Sequence, residues 1–162
     1  MNLVPIKDYE DYSFDLNNNQ VYGHKRKKYL KPHLNKQGYY HIALYKNSKL
    51  KGLKFHRLIY EAHLGTIPDK MCIDHIDNNK QNNNIENLRL VTNQQNSWNR
   101  KTRKDNLSTG YKNIYKRKNN TYKVQIKKNK HIYSKVFKTL EEAILNRDIQ
   151  LVLLHGEYVN LG

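Results

Sequence analysis

The sequence predicts an α+β protein assembled from small modules. Three observations carry that prediction. Only 37% of the 162 residues are hydrophobic, too little apolar material for one large interior. Short β-rich runs alternate with Asn- and Gly-bearing turns toward both ends of the chain. Helical signals fall in three separated places, each after a group of strand-like runs.

Residues 1–54 read as an antiparallel, β-rich module. Asp15-Leu16-Asn17-Asn18-Asn19-Gln20 is a turn, because asparagine tolerates left-handed backbone angles. Gln37-Gly38 is a second turn, and Tyr39 to Tyr45 is the β-rich run that follows it. Asn47-Ser48 turns the chain again.

Residues 55–100 read as helix, strand, loop, strand, helix. Phe55, Leu58, Ile59 and Ala62 recur on one helical face, and Gly65 closes that helix. Met71 to Asp77 is a short apolar run ending in charge, followed by an Asn-rich loop over 78–84. Asn87 to Val91 supplies a second strand. Thr92 with Gln95 has the spacing of a capping box, so a helix carrying Asn96 in its first turns starts there.

Residues 101–107 are basic, polar and aperiodic, and are expected to be a linker. Residues 108–162 contain three β-like runs, Tyr111–Lys116, Thr121–Lys127 and His131–Phe137. In the middle run Tyr122, Val124 and Ile126 face one way, and Lys123, Gln125 and Lys127 the other. Thr139 and Glu142 then form a capping box for a helix with Leu140, Ala143, Ile144, Leu151 and Leu154 on its apolar face. That helix is expected to cover one face of the sheet, since three short strands alone are marginal.

The net charge is +16, from 30 Lys+Arg against 14 Asp+Glu. Both parts of the chain share the excess: residues 1–100 carry 16 basic and 9 acidic side chains, residues 101–162 carry 14 and 5. Such a surface suits a polyanion, and nucleic acid is the first candidate because neutralising phosphates releases counterions. A membrane surface would require a basic amphipathic helix or an apolar anchor. No 18-residue apolar run or signal peptide is present, so the expectation is a soluble, intracellular, non-secreted protein. The single cysteine, Cys72, excludes an intrachain disulfide and a Cys-rich zinc site; it reads as a small buried hydrophobe.

One constellation carries chemistry: His56-Arg57, Asp74-His75, Asn87 and Asn96. Hydrolysing a phosphodiester requires an activated water, charge compensation at phosphorus and help for the leaving alkoxide. A neutral imidazole is a good base near its working pH, and a hard divalent cation takes carboxylate and amide oxygens. Asp74 and Asn96 are of those types, on different elements. Adjacent residues of an ideal strand point oppositely, so the strand must end or bend at Asp74-His75. Spacing alone leaves a second reading open, in which Asp74 to Asp77 is a solvated strand end and Asn87 and Asn96 are local caps. Asp77 is expected to stabilise the loop rather than bind metal. Arg89 is free to meet DNA or pair with an acid. Arg57 suits either a phosphate or a structural contact.

His56-Arg57-Leu58-Ile59-Tyr60-Glu61-Ala62, Ile67-Pro68, Ile73-Asp74-His75-Ile76-Asp77-Asn78, Asn82-Asn83, Asn87-Leu88-Arg89, Val91-Thr92 and Asn96 closely resemble the HNH homing endonucleases of phages and large viruses. The resemblance implies a ββα-metal fold at 55–100 and hydrolysis of double-stranded DNA. It implies one divalent ion, Mg²⁺ or Mn²⁺, held by Asp74 and Asn96, with His75 as general base and Asn87 orienting the His75 ring. A monomer with no obligatory protein partner is expected, and one such site per chain favours nicking unless the protein dimerises or turns over twice. Val4-Pro5-Ile6 to Tyr22-Gly23 resembles the module that precedes such units and lays a sheet on the duplex, although the Trp common at its start is missing. Its candidate DNA contacts are Lys25, Arg26, Lys27, Lys28 and Lys31, with Lys36 and Lys49 beyond them. Thr109 to Ile114, Tyr122 to Ile126, Phe137, Thr139 to Ala143 and Leu154 to Glu157 resemble an AP2-type domain. That resemblance implies a sheet in the major groove, with Lys112, Lys116, Arg117, Lys123, Gln125 and Lys127 as its face. Several arginine positions of that family are lysine here, which weakens bidentate guanine contacts. The alternative is an AP2-type regulator with an inactive HNH unit, which the intact Asp74, His75, Asn87 and Asn96 set disfavours.

Overall fold

The structure, a computed structural model, describes residues 1–100, 108–159 and 161. The expected linker at 101–107 lies outside the described residues. The chain divides into two compact units, Met1–Asn93 and Gln94–Gly162. Among the described residues no helix is long and apolar enough to cross a membrane.

The first unit begins with an antiparallel four-stranded sheet, β1 (Leu3–Pro5), β2 (Tyr12–Asp15), β3 (Gln20–Gly23) and β4 (Lys28–Leu30), in chain order. The β2–β3 turn is built on Asp15. Its carboxylate accepts the Asn17 N–H at 3.1 Å, the Asn18 side-chain amide at 2.8 Å and the Tyr29 hydroxyl at 2.5 Å. These donors stabilise the charged form, and the Tyr29 hydroxyl, the largest influence, helps bring the Asp15 pKa down to about 2 even though burial opposes it. A second antiparallel sheet follows, β5 (His33–Leu34), β6 (Tyr40–Lys46) and β7 (Lys49–Lys54).

Helix α1 runs Phe55–Leu64, the span its periodicity predicts, and Gly65 at φ +93° ends it. The ladder β8 (Met71–His75) with β9 (Leu88–Thr92) completes the unit. One core joins these parts: Phe14 and Val21 from the first sheet, Ile42 and Leu44 from the second, Leu58 and Ile59 from α1, and Ile73 and Leu88 from the ladder are all buried together. The sequence separates 1–54 from 55–100, whereas the apolar faces of both segments are spent on the same interior. Neither has enough hydrophobic residues for a core of its own.

Helix α2 covers Asn93–Asn99 and opens the second unit. Strands β10 (Ile114–Lys116), β11 (Tyr122–Lys128) and β12 (His131–Phe137) form an antiparallel sheet in that order. Helix α3 (Leu140–His155) carries the predicted capping box at both ends of the Thr139–Glu142 pair. Ile114, Val124 and Ile126 from the sheet bury against Ala143 and Leu151 of α3, so the helix covers the sheet face that the β11 alternation marks as apolar.

Candidate active site

Strand β8 ends on the Asp74-His75 pair. Both residues are buried, at 7% and 5% exposure. The chain then turns, with the Asn78 N–H donating to the His75 carbonyl at 2.9 Å and Asn78 in a left-handed conformation at φ +59°. The strand therefore ends at this pair, where the sequence calls for an end or a bend.

Strand alternation gives the two residues different partners. Asp74 is opposite Arg89 in the ladder. The Arg89 Nε and Nη2 both donate to Asp74 Oδ2, at 3.1 and 3.0 Å. Of the two uses the sequence leaves open for Arg89, DNA contact or an acid partner, the structure shows the acid partner. A carboxylate this buried needs a charged or multiply bonded partner to stay ionised.

His75 sits in a ring cluster. His56, the second residue of α1, meets it edge to face at 5.1 Å between centroids, and Tyr39 lies 6.1 Å from His75 and 5.3 Å from His56. Lys80 anchors this corner, donating to the Gln37 carbonyl at 3.0 Å with its ammonium 4.6 Å from the Tyr39 ring centre. His56 is 4% exposed, and its Nδ1 has no hydrogen-bond partner. Burial, then the neighbouring His75 ring and the cationic Lys54 and Arg57, push its pKa from 6.5 to about 3, so it is neutral at physiological pH.

Asn83, not Asn87, touches the His75 ring. Its Oδ1 lies 3.0 Å from His75 Nε2. With the amide oxygen as acceptor, Nε2 is the donor in this contact. The Asn87 side chain, expected to orient the His75 ring, bonds within the loop in this structure. The Asn87 amide nitrogen donates to Asp77 Oδ1 at 2.9 Å and to the Asn82 carbonyl at 2.8 Å, while its oxygen accepts the Asp77 N–H at 3.1 Å. Asn87 thus closes the loop between β8 and β9, because it is positioned where that loop returns to the ladder.

Asp77 is the loop's hub, as expected. Its carboxylate also accepts the Asn79 N–H and the Asn82 amide, both at 2.8 Å. Burial alone would raise its pKa, but the bonds from Asn82, Asn79 and Asn87 together hold it below the ordinary range. Asparagine is abundant here because each amide replaces a backbone pairing that an irregular loop lacks.

Asn96 stands on α2, in the second unit. Lys25, Arg26, Lys27, Lys28 and Lys31 are all exposed on the first unit, with Lys25 paired to Asp11 at 2.7 Å. Arg57 is half-buried on α1. In the second unit the predicted basic face divides. Lys123, Gln125 and Lys127 share the face opposite α3. Lys116 is in register with Tyr122, which puts it on the α3 side, although it is exposed. Lys112 is half-buried beside Trp98 and His155, and burial, reinforced by Arg100, lowers its pKa. Arg117 is exposed in the β10–β11 turn. Sequence reasoning missed Tyr39, and it named His56 and Asn83 within the motifs without giving either a role.

Residues 53–98 match the HNH endonuclease family. The chain is 37% identical over 103 residues to the DNA endonuclease I-HmuI of Bacillus phage SP01, which covers 64% of this chain and 59% of that protein. It is 38% identical over 108 residues to an uncharacterised HNH endonuclease, L560, of Acanthamoeba polyphaga mimivirus, covering 65% and 55%. A solved structure of DNA binding and cleavage by the HNH homing endonuclease I-HmuI superposes with a TM-score of 0.54 at 38% identity, covering 60% of this chain and 56% of that one. This chain thus spans little more than half the length of these relatives. Residues 53–98 thus resemble an HNH endonuclease domain, and the chain is similar in sequence and structure to the I-HmuI homing endonuclease.

Proposed function

We propose that the chain is a metal-dependent endonuclease that nicks double-stranded DNA, with His75 as its general base. The observation that carries this reading is the His75 ring at the end of β8, fixed through Nε2 by Asn83 at 3.0 Å, within the segment matching the HNH endonucleases. Nδ1 of His75 takes a proton from water, and the resulting hydroxide attacks phosphorus. The P–O bond to the 3′ oxygen breaks, and that oxygen leaves with the electron pair and is then protonated. Tyr39 and His56 limit the rotation of the imidazole from two sides. A neutral His56 adds no positive charge that would oppose proton uptake by His75.

The donor chemistry suits a hard divalent cation such as Mg²⁺ or Mn²⁺. Among the described residues no group of three or more His, Cys, Asp or Glu is placed to hold a metal. Mg²⁺ is commonly held by one or two carboxylates plus substrate phosphates rather than by an all-protein cage, so Asp74 with few other ligands is compatible with it. Asp74 would hold the ion, with Asn96 as a second ligand on the strength of the sequence pattern. Bound there, the ion would offset charge at phosphorus and on the departing oxygen. Arg89, donating twice to Asp74 Oδ2, would hold the carboxylate in place.

The exposed Lys25, Arg26, Lys27, Lys28 and Lys31 of the first unit would track the backbone, as would Arg57, and the open sheet face of the second unit would enter the major groove. A duplex labelled separately on each strand tests the reading. The expected result is one cut strand with Mg²⁺ or Mn²⁺, no product with chelator, and a 3′ hydroxyl at the break. Cleavage that persists in chelator, or equal cutting of both strands, contradicts it.

A further inference from the structure

The open face of the second unit's sheet has an order that a merely basic surface would lack. Val124 and Ile126 are buried under α3, so their neighbours Lys123, Gln125 and Lys127 face the other way. Their cross-strand partners on β12 are Val136, Ser134 and Ile132 respectively, and directly opposed residues share a face. The surface is therefore two parallel rows: lysine, glutamine, lysine on β11, and valine, serine, isoleucine on β12.

Two features of these rows have no part in folding. Val136 is 43% and Ile132 58% exposed, although each stands beside a lysine on a strongly basic chain. The Gln125 side-chain amide, at the centre, makes no hydrogen bond among the described residues. No arginine stands among the six positions. A lysine pair complements phosphate, which identifies the occupant as a polyanion. The central amide and flanking aliphatic groups complement base edges. An amide offers one donor and one acceptor, as the adenine edge does in the major groove, whereas guanine offers two acceptors there. Exposed aliphatic groups have an apolar partner in that groove only at the thymine methyl.

We propose that this face reads A·T base pairs in the major groove, with Gln125 on an adenine, Ile132 and Val136 on thymine methyls, and Lys123 and Lys127 on the neighbouring phosphates. This rests on the reading that the second unit docks on duplex DNA, and adds the base class it selects. Ile132 and Val136 are four residue steps apart along the strand, about 13 Å. That is about four base-pair steps of 3.4 Å, so the recognised core is about five base pairs.

The test uses the full chain without divalent metal, so that no DNA is cut. Competition binding compares two duplexes of equal length whose central pairs are all A·T or all G·C. The expected ratio is about tenfold in favour of A·T. Gln125→Ala should bring that ratio close to one, and Ile132→Ser with Val136→Ser should reduce it. Gln125→Glu is the control for a mere folding defect: a carboxylate accepts from cytosine N4, so preference should move toward G·C. Equal affinity for the two duplexes in the native chain overturns the proposal, as does a ratio unchanged by both Gln125 substitutions. Lys123→Ala with Lys127→Ala separates the proposal from the reading beneath it. Weaker binding of both duplexes supports docking through this face, and unchanged binding of both removes the docking and the proposal together.

Discussion

His56 and His75 are the same chemical group in contact, yet they do different things. His75 has a polar partner at Nε2 and sits at a strand end, while His56 is buried in the first turn of a helix with an unpartnered Nδ1. The pKa of about 3 gives His56 a measurable signature. Its folded-state pKa lies below the unfolded value of 6.5, so the unfolded chain binds the proton first. The stability it contributes is complete above pH 6.5 and is lost progressively as pH falls toward 3. Replacing His56 with Phe keeps the ring and removes the titration. The variant's melting temperature should fall less than the native chain's between neutral pH and about pH 4.5, as calorimetry would show. A parallel fall in both proteins would mean that His56 is not held neutral.

At the scale of elements, the β8–β9 ladder and its loop form the site's frame. Arg89 and Asp74 pair across the ladder with side-chain exposures of 15% and 8%. Removing Arg89 takes a charged partner from a buried carboxylate, so Arg89→Ala should cost about 3–5 kcal/mol by chemical denaturation. A cost below about 1 kcal/mol, the range of a surface ion pair, would contradict the pairing. The loop is held by Asp77 and Asn87. Asn87→Ala removes three bonds at once, and should speed proteolysis at 76–87 and lower cleavage about 10- to 100-fold while leaving DNA affinity intact. Normal protease resistance in that variant would show that the loop does not depend on Asn87. The helices were legible in the sequence because periodicity and caps are local: α1 at Phe55–Leu64 and the Thr139–Glu142 cap of α3 are read directly. The contacts of Asn87 were not, because they depend on where an irregular loop comes back to the ladder. Lys116 illustrates the same limit. Its place on the strand is legible, but its face follows from the register Lys116↔Tyr122, which no local pattern states.

For the whole molecule, the sequence conveyed the order of parts better than their boundaries. The 1–54 and 55–100 segments each have a recognisable pattern, yet Phe14, Ile42, Ile59 and Ile73 fill one core. That sharing brings Tyr39, from the strand-rich segment, against His56 and His75. A truncation between the two segments should therefore disturb both fold and site. The +16 charge is spread over both parts of the chain, which suits the proposed DNA partner. Binding and cutting should then be separable. The direct measurement is conversion of supercoiled plasmid in Mg²⁺ by the native chain and by His75→Ala, with a gel shift on the same DNA. The account predicts open circles from the native chain, a loss of about 10²- to 10⁴-fold in the variant, and equal shifts from both. Equal nicking by the two proteins would contradict it.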